Sequence, residues 1–413
     1  MYWVVAAIVM DLAICDHDPG DVTEFDFLVD LHWSLRPFVK WDAAHLLNIA
    51  GRGYKTELES AFFPLYPLII RCVKDCFTKH LIHGKGKETN ALVISAVGVN
   101  MLLYPLASVL LWKLLDSWNV SRKWKSQALS VHICMNPASA FFVSGYSETT
   151  FSVVSWLAMY LLSGLSRKSW SSKMGAILAL LVASYTRSNG VLNACFGLSA
   201  LLKRDKSQSL IITLLESIAL GVAALLPLLV NDMTNTFRYC DNTGKNGSLE
   251  YAVSCEIPGV HSVAPPSFFN LVHVRNYLER LALNKTSYYS YVQKKYWNVD
   301  LFASYQWRQT PNIIMATPAC AIALYVLFVS KSCRNRLMTE RIHLLLTLLV
   351  GVTFAHIQIT TRLLMCACPI MYLGIAEILE SFSIVELEIA MVTYLALFSI
   401  IGLGLHCNWY PWT

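Results

Sequence analysis

ALVISAVGVNMLLYPLASVLLW, residues 91–112, holds no charged side chain. A helix crossing a bilayer needs about 20 apolar residues, and this stretch has that length. It is not alone. Gly145–Leu165, Leu210–Val230, Asn312–Val329, Ile342–Ile359, Leu363–Ile378 and Ile389–His406 meet or approach it, while Met1–Cys15, Ala61–Val73 and Met174–Leu202 are shorter or interrupted. The chain as a whole is 55% hydrophobic and 15% charged with a mean hydropathy of +0.47, a balance that no soluble domain needs. The expectation is an all-α polytopic membrane protein, one membrane-embedded unit over 1–413 with about nine or ten crossings. Met1–Cys15 has neither a basic flank nor a small-residue cleavage pattern, so it reads as a first span and not as a signal peptide.

The net charge of +6 becomes informative once it is distributed. Short basic loops at 74–89, 166–173, 203–208 and 331–341 behave as cytosolic loops do. The acidic stretch 16–60 then becomes a first lumenal loop and 231–310 a second, longer one. Met174–Leu202 folds back at Tyr185–Gly190 (YTRSNG), entering from and returning to the cytosol. In this arrangement the three N-x-[ST] sequons, Asn119, Asn246 and Asn284, are all lumenal. Arg122, Lys123 and Lys125 resist it, being basic on the lumenal side. If Gln127–Val143 is itself a span, Met174–Leu202 becomes a single crossing. The closing HCNWYPWT (406–413) lies outside, its Trp409, Tyr410 and Trp412 suited to an interfacial belt. Charge scattered in this way is no footprint for nucleic acid.

Twelve cysteines are spread mostly through the apolar runs, where a thiol fills space; Cys366 and Cys368 read as packing residues. Cys240 and Cys255 share a lumenal loop, where an oxidising compartment permits a bridge. No metal-ligand spacing is present.

Five polar clusters interrupt the apolar pattern: WDAAH (41–45), NPASAFFVSGYSE (136–148), TRSNG (186–190), YWNVDLFASYQWRQTPN (296–312) and HIQITTR (356–362). Polar groups close to a bilayer are costly, which makes them candidates for function. All five fall on the lumenal face, whereas structural polar residues would divide between the two sides. Each has a bland alternative. Asp42 can cap a helix over Ala43–Gly51, and Asn136-Pro137 can simply break one. His45, with no second ligand at a fitting spacing, is better suited to orienting a substrate than to holding metal. Glu148 opens an apolar run and requires a partner. Arg187 and Arg362 are either snorkelling cations or forks for a phosphate. The aromatics of Tyr296–Trp307 are either interface anchors or a floor for a sugar.

FVKWDAAHLLNIAGRGY (38–54), FFPLYPLIIR (62–71), NPASAFFVSGYSETTFS (136–152), YTRSNG (185–190), YWNVDLFASYQWRQTPN (296–312) and HCNWYPWT (406–413) together resemble the PIG-V family of GPI mannosyltransferases. The motifs stand in the family's order over nearly the whole chain; WDxxH alone is weak, the ordered set strong. Two departures are Asp300, where the family tends to carry glycine, and a shorter N-terminus. The resemblance implies a GT-C type glycosyltransferase of the endoplasmic reticulum membrane. It would use dolichol phosphate mannose to add the second, α1,6-linked mannose of the GPI anchor precursor. A β-linked donor and an α-linked product mean inversion, which needs one base on the acceptor hydroxyl and stabilisation of the departing phosphate. Family logic puts the base at Asp42. The residues expected around the substrates are Trp41, His45, Glu148, Arg187, Asn189, Trp297, Gln309, His356 and Arg362. The cations for the phosphate are Arg187, Arg362, His356 or Arg308. No cofactor or essential metal is implied. Both substrates are lipids, and a small membrane accessory subunit is the implied partner if the chain is fungal.

Other readings remain: a related polyprenyl-phosphate-sugar transferase such as a protein O-mannosyltransferase, a lipid transporter or scramblase, or an idle scaffold subunit. Transporters usually show repeated halves and sites at the bilayer midplane; here no internal repeat is visible.

Overall fold

The computed structural model describes residues 1–17, 30–78, 87–163, 169–202, 209–239, 277, 287–334, 337–381 and 385–410. Among them the regular elements are helices. First come α1 (Tyr2–Ala13), α2 (Asp42–Arg52) and α3 (Leu65–Thr78). Next are α4 (Lys87–Ser117), α5 (Arg122–Cys134), the short α6 (Ser139–Val143) and α7 (Glu148–Leu162). Then follow α8 (Trp170–Thr186), α9 (Cys195–Leu202), α10 (Leu210–Tyr239) and α11 (Tyr288–Trp297). The last six are α12 (Thr310–Leu324), α13 (Lys331–Arg334), α14 (Met338–Thr353), α15 (Thr360–Ala367), α16 (Ile370–Ser381) and α17 (Val385–Cys407).

Lys87–Ser117, Leu210–Thr236, Trp307–Val329 and Glu388–Cys407 are long and apolar enough to cross a membrane, and a pair bent by 91° at the α15–α16 junction makes a fifth candidate if it is one span. Among the described residues that is fewer than the expected nine or ten. Several apolar runs stop short because a polar cluster ends them. α7 begins only at Glu148, α8 ends before Arg187, and α14 ends three residues before His356. Leu363–Ile378 is broken where Pro369, which has no backbone N–H to give, separates α15 from α16. The outer face of α10 exposes Leu210, Ile211, Ile212, Leu215 and Ile218. In water that would be an anomalous patch; facing lipid it is ordinary. The chain is an all-helical, multi-span membrane protein.

Side-chain contacts establish which helix ends lie together. Asn100 of α4 donates to the carbonyls of Ser144 (2.5 Å) and Tyr146 (3.0 Å), and further along Lys113 sits 5.8 Å from the Tyr160 ring of α7. So α4 and α7 run in the same direction. At their far end Gly175 of α8 packs on Leu161, Lys173 pairs with Glu216 of α10, and Lys123 pairs with Glu380 of α16 (2.6 Å). Lys331 N reaches Glu377 of α16 at 3.1 Å. The helices flanking the basic loops 166–173, 203–208 and 331–341 end here, which makes this the basic end of the bundle.

Several expectations change. Ala61–Val73 is not a returning span. Tyr66 of α3 meets Asn100, while Arg71 donates to the carbonyls of Ala50 and Gly51, and Gly51 lies against Leu92. α3 thus runs antiparallel along the first part of α4, away from the basic end, so the described ends of the stretch 74–89, expected among the cytosolic loops, lie at the opposite end from the other three. The return crossing is α4 itself. Asn119, just beyond α4, consequently sits at the basic end, not with the polar clusters, and Arg122, Lys123 and Lys125 join the other cations there. The segment expected as a loop from 231 starts instead as helix, since α10 continues to Tyr239. Asn246, Asn284, Cys240 and Cys255 lie outside the described residues, as does Trp412. Trp409, expected at an interface, is buried.

The chain does double back at YTRSNG. Ser217 of α10 hydrogen-bonds the Gly197 carbonyl of α9, next to Glu216, which holds α8. α8 and α9 so meet α10 at one level. Gly190 makes the turn possible: a Cβ there would lie 2.5 Å from the Ser184 Cα.

Candidate active site

At the end opposite Lys123, Lys173 and Lys331, a cavity of about 540 Å³ lies among the helix ends, within the range of about 300–1,000 Å³ usual for ligand sites. Its wall includes Asp42, Tyr146, Ser147, Arg187, Asn189, Trp297, Asp300, His356 and Arg362. All five polar clusters therefore contribute to one space.

The local reason is shared. Helix N-termini leave free N–H groups and favour negative charge, and two carboxylates occupy such positions, Asp42 in the first turn of α2 and Glu148 in that of α7. Arg187 stands where α8 ends, in extended backbone. Arg362 belongs to α15 and is drawn between the two acids. Its two terminal nitrogens lie 3.1 and 3.2 Å from Asp42 Oδ2, and its Nε lies 3.2 Å from Glu148 Oε1. Glu148 also pairs with Arg187 at 2.5 Å. Arg187 is steadied by Ser147 Oγ (3.1 Å) and Asn189 Oδ1 (3.2 Å).

Charges thus alternate: Asp42, Arg362, Glu148, Arg187. Glu148 has no exposed surface, and a buried carboxylate is tolerable only when paired. Asp42 differs, with 33% of its side chain exposed. Arg362 also lies over the rings of Phe141 (4.8 Å) and Tyr146 (5.6 Å), which fixes the plane of its fork.

The helix-cap reading of Asp42 is not met. The N-cap is Trp41, no side chain caps α2, and Asp42 is a helical residue whose carboxylate goes to Arg362. His45 is one turn on, stacked on Phe62 with centroids 5.3 Å apart, behind the cavity wall. Burial lowers its pKa below the ordinary value, against the pull of Asp42 and Glu59. His356 is in the wall, and burial lowers its pKa too. Trp297 reaches the wall at the end of α11, edge-on to Phe62 at 6.0 Å.

Three expected residues are elsewhere. Arg308 and Gln309 lie on a short 3₁₀ turn, Trp307–Gln309, outside the lining; Gln309 accepts from Asn312 at 2.6 Å, and Trp307 is 93% exposed. Trp41 points to Trp409, 5.7 Å away. Conversely, sequence reading missed Asp232 and Tyr289. Tyr289 lines the cavity and donates to Ser188 Oγ at 2.8 Å. Buried Asp232 accepts from Tyr289 N (2.5 Å) and Tyr277 OH (2.7 Å), tying α10 to the start of α11. The signal was NDMTNT (231–236), a polar run at the end of an apolar helix.

The sequence pattern of the family described as Mannosyltransferase (PIG-V) matches residues 17–341. GPI mannosyltransferase 2 of Drosophila pseudoobscura pseudoobscura is 27% identical over 417 residues, which cover 92% of this chain and 87% of that one. GPI alpha-1,6-mannosyltransferase 2 of Homo sapiens is 26% identical over 385 residues, covering 82% and 72%. Among solved structures, the Archaeoglobus fulgidus oligosaccharyltransferase has a TM-score of 0.44 at 8% identity, with all of this chain spanning about half (55%) of that one. ArnT from Cupriavidus metallidurans has a TM-score of 0.32 at 13% identity, over 98% of this chain and 76% of that one. On the extent of the family match, this chain is a glycosyltransferase and belongs to the PIG-V mannosyltransferase family.

Proposed function

We propose that this protein is a GT-C type α1,6-mannosyltransferase of the endoplasmic reticulum membrane, adding the second mannose to the GPI anchor precursor from dolichol phosphate mannose. The names of its curated relatives support the reaction. Three of the four short basic loops and the cations at 122–125 share one end, and the positive-inside rule puts that end in the cytosol and the cavity in the lumen, against the basic stretch 74–89. Both lipid substrates then keep their tails in the bilayer and meet by their head groups.

Asp42 is the base. The acceptor hydroxyl attacks the anomeric carbon of the donor mannose and yields its proton to the Asp42 carboxylate. The bond from that carbon to the phosphate oxygen breaks, the electron pair leaves with dolichol phosphate, and the configuration inverts. The observation that carries this reading is the half-open Asp42 carboxylate: Arg362 engages Oδ2 alone, leaving Oδ1 for the acceptor. The same geometry ranks the cations. Arg362 commits both terminal nitrogens to Asp42 and holds Nε 3.2 Å from the buried Glu148 carboxylate as an ion pair. Arg187, committed through NH1 and Nε, is the better phosphate ligand through its remaining nitrogen, and a bound phosphate would gain a charge-assisted bond there. Neutral His356 supplies a hydrogen bond and no charge, and Arg308 drops out.

The test is transfer by purified protein from dolichol phosphate mannose to a synthetic mono-mannosylated GPI precursor. An α1,6-linked dimannosyl product is expected. No transfer to this acceptor, with transfer to a Ser/Thr peptide, would favour the O-mannosyltransferase reading.

A further inference from the structure

Asp42 enters the cavity through a backbone turn that a bulky residue resists. Trp41 has φ 57° and ψ −130°, a conformation uncommon for any residue with a Cβ and strained for a large one, so the surroundings must hold it. From one side the backbone is tied by Gly145 N, which donates to the Phe38 carbonyl (3.0 Å), and Tyr146 OH, which donates to that of Lys40 (3.2 Å). From the other side the hold comes from the segment that follows α17. Trp409, buried and itself at φ 62°, packs its ring 5.7 Å from that of Trp41. Lys40 Nζ lies 5.3 Å from the Trp409 ring centroid while pairing with Asp16 (2.9 Å) and Asp11 (3.6 Å). Asn408 anchors the segment. Fully buried, it donates from Nδ2 to the carbonyls of Gly404 (2.7 Å) and Met10 (3.2 Å), and its own carbonyl accepts from His17 N (2.8 Å).

We infer that Trp409 is a positioning residue for the base: it clamps Lys40 and Trp41, the two residues before Asp42, and so aims the Asp42 carboxylate into the cavity. The inference rests on the reading of Asp42 as base. Trp409 is absent from the cavity wall, so its influence passes through Asp42 and not through contact with substrate.

The experiment measures mannosyl transfer by the full chain as wild type, Trp409→Ala, Trp409→Phe, Asp42→Asn and the Asp42→Asn/Trp409→Ala double variant. Trp409→Ala should lower kcat by about 10- to 10²-fold, the latter being the cost of a misplacement of roughly 1 Å, with the donor KM nearly unchanged. Trp409→Phe, which restores a ring, should recover most of it. In the Asp42→Asn background Trp409→Ala should remove nothing further, because residues that act as one unit are non-additive; a merely structural role would cost the same factor again. A full additional loss there, or a wild-type rate in folded Trp409→Ala, overturns the clamp. If Trp409→Ala does not accumulate, Lys40→Met, which removes the cation over the ring, takes its place: a lowered kcat supports the clamp and a wild-type rate overturns it. A near-normal rate in Asp42→Asn removes the base reading and the clamp with it, whereas impaired Asp42→Asn beside unimpaired Trp409→Ala removes the clamp alone.

Discussion

Arg362 grips Asp42 by a single oxygen, both of its terminal nitrogens converging on Oδ2 across 320 residues of sequence. A guanidinium held in this way orients a carboxylate without consuming its second oxygen. Arg362→Lys would keep the charge and lose the fork. It should lower kcat with little change in the donor KM, whereas Arg187→Ala should raise the donor KM. Steady-state kinetics with varied dolichol phosphate mannose separates the two; the reverse pattern would make Arg362 the phosphate ligand.

Glu148 should matter first for stability. Removing one partner of a buried ion pair costs about 3–5 kcal/mol, and Glu148→Gln leaves two guanidiniums side by side without their shared counter-charge. Its Tm in detergent should fall clearly. Adding Arg187→Met should restore part of the loss by removing one of the cations. No recovery in the double variant would mean that Glu148 does not act as a counter-ion.

Two half-buried histidines predict an acid-sensitive fold. Burial depresses the pKa of His45 and His356, so the unfolded chain binds more protons as pH falls through the ordinary histidine value of about 6.5. The contribution is fully present above that pH and is lost below it. Tm should drop between pH 7 and pH 5, and His356→Gln should flatten the slope. An equal slope in that variant would assign the effect to other groups.

The sidedness of Asn119 gives a fourth outcome. Sitting beyond α4 at the basic end, this sequon should carry no glycan, and a cysteine placed at Ser121 should react from the cytosolic side of sealed microsomes. Labelling only after the membrane is opened would reverse α4 and place the sequon beside the cavity's face.

The five polar clusters were legible because an apolar chain makes each interruption costly and therefore visible. Their convergence followed from one idea, that catalysis at a membrane surface gathers groups on one face. The pairings were not legible. Arg362 and Asp42 belong to opposite ends of the chain, and nothing local in HIQITTR says which acid its arginine meets. α3 misled for a different reason: AFFPLYPLIIRCV is apolar enough to resemble part of a span, yet Tyr66 packs on α4 and Arg71 on α2, so the helix runs back along the first part of α4. That one misplacement reversed α4 and carried Asn119 with it. The basic residues at 122–125 already contradicted it. Trp409 was read as an interfacial aromatic, since burial by a segment some 370 residues away in sequence leaves no trace in HCNWYPWT.

The central claim is that Asp42 takes the acceptor's proton. Asp42→Asn preserves size and the first turn of α2 but cannot accept a proton. General-base catalysis is worth about 10²–10⁴ in rate, so transfer by purified, folded Asp42→Asn protein should fall by about that factor. Near-normal transfer in that variant would contradict the account.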